Sequence, residues 1–293
     1  MQVDRRSFIS LLALALGCPA LAIAEQGQGL FWRLETHGRS AVLFGYLRLS
    51  ASKGRSIVDD GIRIIEQTQS IIRDSGSFDC PTIHIGNDIL LPLLPRLSLA
   101  VADEVRRALA ASRIPQPQLE RVPGYGVVMS LLGEGTEGEG DPIPSVGDLI
   151  FDRAIALRRP LTTLLADDEI RKIDCPTPDD VVAVNNQIDE KEMTSILNFR
   201  SQVGPIGAYI DRLYVGSKTD ELALYFKYVA DHDIALRPHE SRESLTELLF
   251  TRLSAHLPSL PNPFVFLPVE TLIGAGGILE RFRQQGADVS VLA

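Results

Sequence analysis

Leu30-Phe31-Trp32-Arg33-Leu34 and Ala41-Val42-Leu43-Phe44 are two short runs of aromatic and aliphatic residues, joined by Glu35-Thr36-His37-Gly38-Arg39-Ser40, a polar link that holds a glycine. Such side chains fit a pleated, half-buried surface, and a Gly-bearing link turns the chain back, so the stretch predicts a β-hairpin. Working outward, Ile57, Val58, Ile62, Ile64 and Ile65 recur at helical spacing within residues 56–67, and Ser70-Ile71-Ile72 reads as a strand. Pro81 to Ile85 reads as another strand, and Ser98 to Ser112, with Leu99, Val101, Val105 and Leu109, as a helix. Prolines and a Gly/Glu tract break residues 113–145, where Gly126 to Leu132 is the one helical segment. Val146 to Arg158 reads as an amphipathic helix and Pro160 to Leu165 as a short buried strand. Four helical stretches come next, near 178–198, 203–216, 219–231 and 241–256. At the far end Phe264 to Leu267 predicts a strand, Gly277 to Gln285 a helix closed by Gly286, and Val289 to Leu292 a last strand. Strands at both ends and in the middle, with helices between, predict one α/β (α+β) domain. Its small central sheet is built from N- and C-terminal strands and surrounded by many helices.

Composition narrows the function classes. The 293 residues are 45% hydrophobic and 23% charged, which is globular, and long enough to bury a core. Lys+Arg 29 against Asp+Glu 38 gives a net charge of −9, which leaves no electrostatic footprint for nucleic acid at the level of the whole chain.

The opening MQVDRRSFISLLALALGCPALAIAEQ reads as an export signal over residues 1–24. Arg5-Arg6 precede Phe8, an apolar run extends from Ile9 to Leu16, and Ala22-Ile23-Ala24 offers a cleavage site. The arginine pair resembles the twin-arginine type, and an ordinary secretory signal with two arginines is the other reading. The apolar run is shorter than the about 20 residues a membrane span needs, so residues 25–293 are expected as a periplasmic or secreted domain with no stable transmembrane segment. Leu16-Gly17-Cys18 also admits a lipid-attachment reading, against which stand Ala15 and Pro19. Cys80 and Cys175, each within Asp-Cys-Pro-Thr, can form one disulfide in an oxidising compartment or stand as two separate thiols.

The chain holds no G-x-S-x-G, H-E-x-x-H or C-x-x-C, and no G-x-G-x-x-G after a strand. Asp231-His232-Asp233 has metal-ligating residue types, but neighbours on a helix point apart, so a solvated helix end is the better account. Pro238-His239-Glu240, with Ser241 and Glu243, has the capping and charge pattern of a helix N-terminus.

Phe31-Trp32-Arg33-Leu34-Glu35 and then Val42-Leu43-Phe44-Gly45-Tyr46-Leu47-Arg48-Leu49 resemble the N-terminal hairpin of the TraB/GumN (Tiki-like) family. Pro144-Ser145-Val146-Gly147-Asp148 to Ala154, then Arg159-Pro160-Leu161, are similar to its middle helix and strand. Phe264-Val265-Phe266 through Leu272-Ile273-Gly274, Gly277-Ile278-Leu279 and Gly286 are similar to its closing strand, loop and helix. The resemblance implies a metal-dependent hydrolase or protease built on two Gly-x-x-His motifs and acidic residues. Carried over residue by residue, the first motif reads Gly45-Tyr46-Leu47-Arg48 and the second Pro268-Val269-Glu270-Thr271. One acidic position falls on Arg73, beside Asp74. Another falls on Leu165, with Asp167 and Asp168 beyond, and the family's Arg-Asn pair reads Arg242-Glu243.

Arginine stays protonated and cannot ligate a metal, so Arg48 and Arg73 would turn a cation site into an anion site. These exchanges suggest a pseudoenzyme without cofactor, binding an anionic ligand or a protein partner. The alternative is a zinc- or manganese-dependent hydrolase with ligands rebuilt from Glu270, Asp74, Asp167 or His84. His84 lies in Pro81-Thr82-Ile83-His84-Ile85-Gly86, which echoes Gly-Thr-x-His.

Overall fold

The structure, a computed structural model, describes residues 30–36, 38–47, 49–75, 90–110, 114, 116–133, 144–231 and 239–292, with backbone alone for 116, 174, 230, 231 and 239–242. The predicted signal, the strand expected at 81–85, Arg48, Cys80, His84 and His232 lie outside the described residues.

The hairpin forms as expected. β1 (Phe31–Thr36) and β2 (Arg39–Tyr46) pair antiparallel with Phe31 opposite Phe44, and the link uses Gly38 at φ +71°, a left-handed value glycine adopts without strain. Helix α1 (Arg55–Ile65) leads to β3 (Ser70–Ser75), and α2 (Leu99–Ala108), α3 (Gln116–Leu119), α4 (Gly124–Leu132) and α5 (Val146–Ala156) lead to β4 (Leu161–Leu165). Six helices come next: α6 (Asp167–Asp174), α7 (Pro178–Gln187), α8 (Glu190–Val203), α9 (Ile206–Val215), α10 (Thr219–Asp231) and α11 (His239–His256). The chain closes with β5 (Pro263–Pro268), α12 (Val269–Leu272), α13 (Ile278–Gln284) and β6 (Asp288–Val291).

The six strands make one mixed sheet in the order β4-β3-β5-β2-β1-β6. β5 lies parallel to both β2 and β3, with Val42 opposite Phe264 and Arg73 opposite Phe266. A strand covered on both faces reads as a continuous apolar run, and Pro263-Phe264-Val265-Phe266-Leu267 is buried throughout. Phe31, Phe44, Phe264 and Phe266 pack ring to ring on one face, and Phe151 of α5 meets Phe266 edge-on at 5.6 Å. α1 and α5 pack closely because Gly61 has no side chain: a Cβ there would lie 2.3 Å from Ile150 Cδ1. α5 starts at a capping box in which Ser145 Oγ accepts from the Asp148 N–H and the Asp148 side chain accepts from the Ser145 N–H.

A second core lies away from the sheet. Leu93, Val105, Val127, Leu131, Met193, Ile196 and Tyr225 are among its buried residues, and Tyr209, Ile210 and Phe226 pack against both cores. The Arg96 guanidinium donates to the carbonyls of Asn185 and Ile188 and so closes the end of α7. The result is a single α/β domain in which one side is sheet and the other is helices.

Two expectations need correction, and one helix has no counterpart in the sequence reading. The stretch 178–198 is two helices, because Thr177 and Asp180 form a capping box for α7 whereas Asp189 caps a new helix by accepting from the Glu192 N–H. Pro160 to Leu165 is an edge strand rather than a buried one, with Leu161 46% exposed and burial confined to Leu164 and Leu165. The segment after it, to which the sequence reading assigns no element, is the helix α6, whose first turn holds Asp167, Asp168 and Glu169.

Candidate functional site at the carboxyl edge of the sheet

In open α/β sheets, ligands bind outside the carboxyl ends of the parallel strands, where neighbouring strands send their connections in opposite directions. Here the chain leaves β2 through α1 toward β3, and leaves the adjacent β5 through α12 and α13 toward β6. The edge by Tyr46 and Pro268, register partners at the ends of β2 and β5, is that switch point.

Asp74 of β3 is the chemically distinctive group there. It is 2% exposed, and Tyr46 reaches past the end of β5 to donate its hydroxyl to Asp74 Oδ2 at 2.6 Å. No donor meets Asp74 Oδ1 at hydrogen-bonding geometry among the described residues. Burial, which disfavours the charged form, raises the Asp74 pKa to about 6. The Tyr46 hydrogen bond, the Ser75 backbone amide and the Arg73 charge offset part of that rise. Tyr46 is pushed far above the usual phenol range, first by burial and then by the negative charges of Asp74 and Glu270, so it remains a protonated donor. A carboxyl that titrates near neutrality in a buried, aromatic-capped position can exchange a proton or accept a hydrogen bond from a ligand.

The other predicted positions divide into those drawn into this edge and those that serve the fold. Gly45 ends inside β2 in a tight place, since a Cβ would lie 3.0 Å from Val269 Cγ2 and 3.1 Å from Trp32 Cζ3. Its carbonyl accepts from the buried Tyr214 hydroxyl at 2.9 Å, which pins the exit of β2; burial pushes that phenol upward. Thr271 is 1% exposed and turns its hydroxyl to the Pro268 carbonyl at 2.8 Å, so it stabilises the β5–α12 turn. Glu270 stands in the first turn of α12, half-buried, where its charge acts on Tyr46. Leu165 is a buried core residue opposite Ser75. Arg73, adjacent to Asp74 and therefore aimed at the other face, lays its guanidinium over the Phe151 ring at 4.5 Å. Arg242 falls in the first turn of α11, where the backbone alone is described. Cys175, at the end of α6, is disulfide-bonded, and Cys80, its partner in one of the two sequence readings, lies outside the described residues.

Tyr46 and Tyr214 were missed by sequence reasoning. For Tyr46 a signal existed: a phenol just after an apolar strand ends at the rim of the sheet, with its ring in the core and its hydroxyl among polar groups.

A divalent ion of the kind the family resemblance implies takes three or four N, O or S donors. At this edge the described residues offer the Asp74 and Glu270 carboxylates, while the Thr271 and Tyr46 hydroxyls are committed and Arg73 adds positive charge nearby. Among the described residues no group of three or more His, Cys, Asp and Glu is placed to hold a metal ion, and the donor set does not fit one. No described helix is long and apolar enough to cross a membrane. Compared with family models, curated proteins and solved structures, the chain matches none.

Proposed function

We propose that this chain is an exported, divergent TraB/GumN-like protein that has lost the family's metal-dependent hydrolase site and acts as a binding or scaffolding protein through the carboxyl edge of its sheet. The observation that carries this reading is the Asp74–Tyr46 pair. The buried carboxylate of the edge is capped by the phenol of Tyr46, which follows Gly45 in the chain and feels the charge of Glu270. Where the family would have an imidazole, Thr271 supplies a hydroxyl that closes a turn. Arg73, stacked on Phe151 and in no ion pair among the described residues, offers positive charge to an anionic part of the ligand. Export into the periplasm is inferred from residues 1–24 and is supported by Cys175 being in a disulfide, a bond kept in oxidising compartments; we assign its partner as Cys80.

The test is elemental mass spectrometry of the mature chain purified without chelator, with thermal melts in zinc, manganese and EDTA. Sub-stoichiometric metal and an indifferent melt are expected. Near-stoichiometric metal with a chelator-sensitive melt would overturn the reading in favour of the second one, a metal-dependent hydrolase with rebuilt ligands. The Asp74 Oδ1, which has no hydrogen-bond partner among the described residues, is what favours that alternative. In that case Asp74→Asn and Glu270→Gln would each lose the metal.

A further inference from the structure

At the opposite end of the same strands lies a cavity of about 330 Å³. Ser40 at the start of β2, Gln67 and Thr68 before β3, and Asn262 before β5 form its polar wall, with Arg33 of β1 and Arg63 of α1 at its sides. Val42, Ile64 and Leu292 form the apolar part. We propose that this cavity is a binding site for a small oxyanion, a carboxylate or phosphate group carried on a short apolar body.

The charge balance of the lining is the first argument. Among the described residues two guanidinium groups and no carboxylate line the cavity, in a chain where Asp+Glu outnumber Lys+Arg by 38 to 29. Arg33 is exposed and makes no ion pair among the described residues, so its fork of donors is available. Among the described residues Arg63 pairs only with Asp60, through one nitrogen at 3.0 Å, in a solvent-exposed contact. Such pairs are weak and screened, and a bidentate oxyanion competes well with them. Glu66 is held by Arg153, and Glu35 and Asp288, register partners further along β1 and β6, do not line the cavity.

The second argument concerns the end of α1, whose free carbonyls would ordinarily repel an anion. Here three of the last four, those of Ile62, Ile64 and Ile65, are consumed. The Ile64 carbonyl accepts from the Gln67 N–H, and the Ile65 carbonyl from both the N–H and the hydroxyl of Thr68. Arg159 donates to the Glu66 carbonyl, and Asn262 Nδ2 to the Gln67 carbonyl at 2.9 Å. Asn262 is held for this with φ at +37°, a left-handed value that asparagine tolerates better than most side chains. The negative pole of the helix is largely covered, and the cavity is lined by the two guanidinium groups, the Ser40 hydroxyl and the Gln67 amide beside an apolar part.

Calorimetric titration of the mature chain with hexanoate and with inorganic phosphate, against sodium chloride at matched ionic strength, tests the proposal. Saturable binding of either probe, weakened at least about tenfold by Arg33→Gln and by Arg63→Gln, is expected; that factor is what one lost charge-assisted contact is worth. A preference for hexanoate identifies a carboxylate with an apolar body, and a preference for phosphate identifies the oxyanion as the recognised part. Both arginines are exposed, so the variants should fold, which circular dichroism checks. Heats no different from chloride would overturn the proposal. So would binding that survives both substitutions, or binding lost in Arg73→Gln alone, which would move the anion to the carboxyl edge.

Discussion

At the carboxyl edge of the sheet Asp74 is shut away from water with a phenol on one oxygen, whereas at the amino edge Arg33 and Arg63 stand in solvent around a cavity. Both edges are made by the same three strands, so the difference lies in the connections that enter and leave them. At the carboxyl ends of β2 and β5 the Tyr214–Gly45 bond and the Thr271 turn fix the exits of the strands, and the Tyr46 hydroxyl caps Asp74. Before the amino ends the connections are short polar links, Gln67-Thr68-Gln69 and Pro261-Asn262, which bond to each other and leave space above. Enclosure changes chemistry: a buried carboxyl feels the loss of solvent as a raised pKa, while exposed guanidinium groups keep their charge and wait for a partner.

That contrast can be broken experimentally, and the largest effect should come from Tyr46→Phe. Among the described residues it removes the only side-chain donor to a buried carboxylate, and urea unfolding near neutral pH should show a loss of about 3 kcal/mol. A loss below about 0.5 kcal/mol would mean that water reaches Asp74 and the edge is open. The next effect is in pH. Because the folded pKa of Asp74, about 6, lies above its unfolded value of 3.8, the folded state binds the extra proton between them. Its contribution is therefore fully present at low pH and is lost as pH rises through about 6, by roughly 2 kcal/mol between about pH 4.5 and about pH 7. The difference between wild type and Asp74→Asn across that range isolates it, and parallel stability curves would remove the raised pKa from the account.

Arg73→Gln should be milder, about 1 kcal/mol for the lost stacking on Phe151, and should raise the Asp74 pKa further because the guanidinium favours the carboxylate. Unfolding curves and the pH dependence of stability read the two effects separately. The smallest effect belongs to the amino edge. Arg33→Gln and Arg63→Gln should leave stability within about 0.5 kcal/mol of wild type while they remove oxyanion binding. If either costs as much as Tyr46→Phe, the two edges are not different in kind.

The sheet was legible because its strands carry their own signals: Ala41 to Phe44 and Phe264 to Leu267 are apolar runs, and Phe31, Trp32 and Leu34 flank a single exposed arginine. The order of those strands was not legible, because nothing near Val42 or Ile71 says that both will take Phe264 as a neighbour. α6 was overlooked because Asp167-Asp168-Glu169-Ile170-Arg171-Lys172 shows charge rather than apolar period, with Ile170 its buried anchor. The break between α7 and α8 was written in Asp189, a capping residue, but the apolar residues on either side run on in helical spacing and hide it. Of the site, Asp74 and Glu270 could be singled out by position, while Tyr46 gained meaning only when β5 placed its end between β2 and β3. The amino-edge cavity left no trace in local sequence, because its lining comes from separate stretches of chain whose junction is made by the sheet.

The place of β5 also governs the order in which this molecule can be assembled. The strand at the centre of the sheet is synthesised long after its neighbours, and Val42 must wait for a partner more than two hundred residues away. Contacts of such separation demand closure of a long loop before they return any stability, and folding slows as their share grows. Until residues 263–268 arrive, the hairpin and β3 are unpaired edges exposing Phe44 and Ile71, surfaces that invite aggregation. A nascent chain stopped short of Pro263 would thus hold a helical half able to pack its own core and a sheet half with nothing to close on.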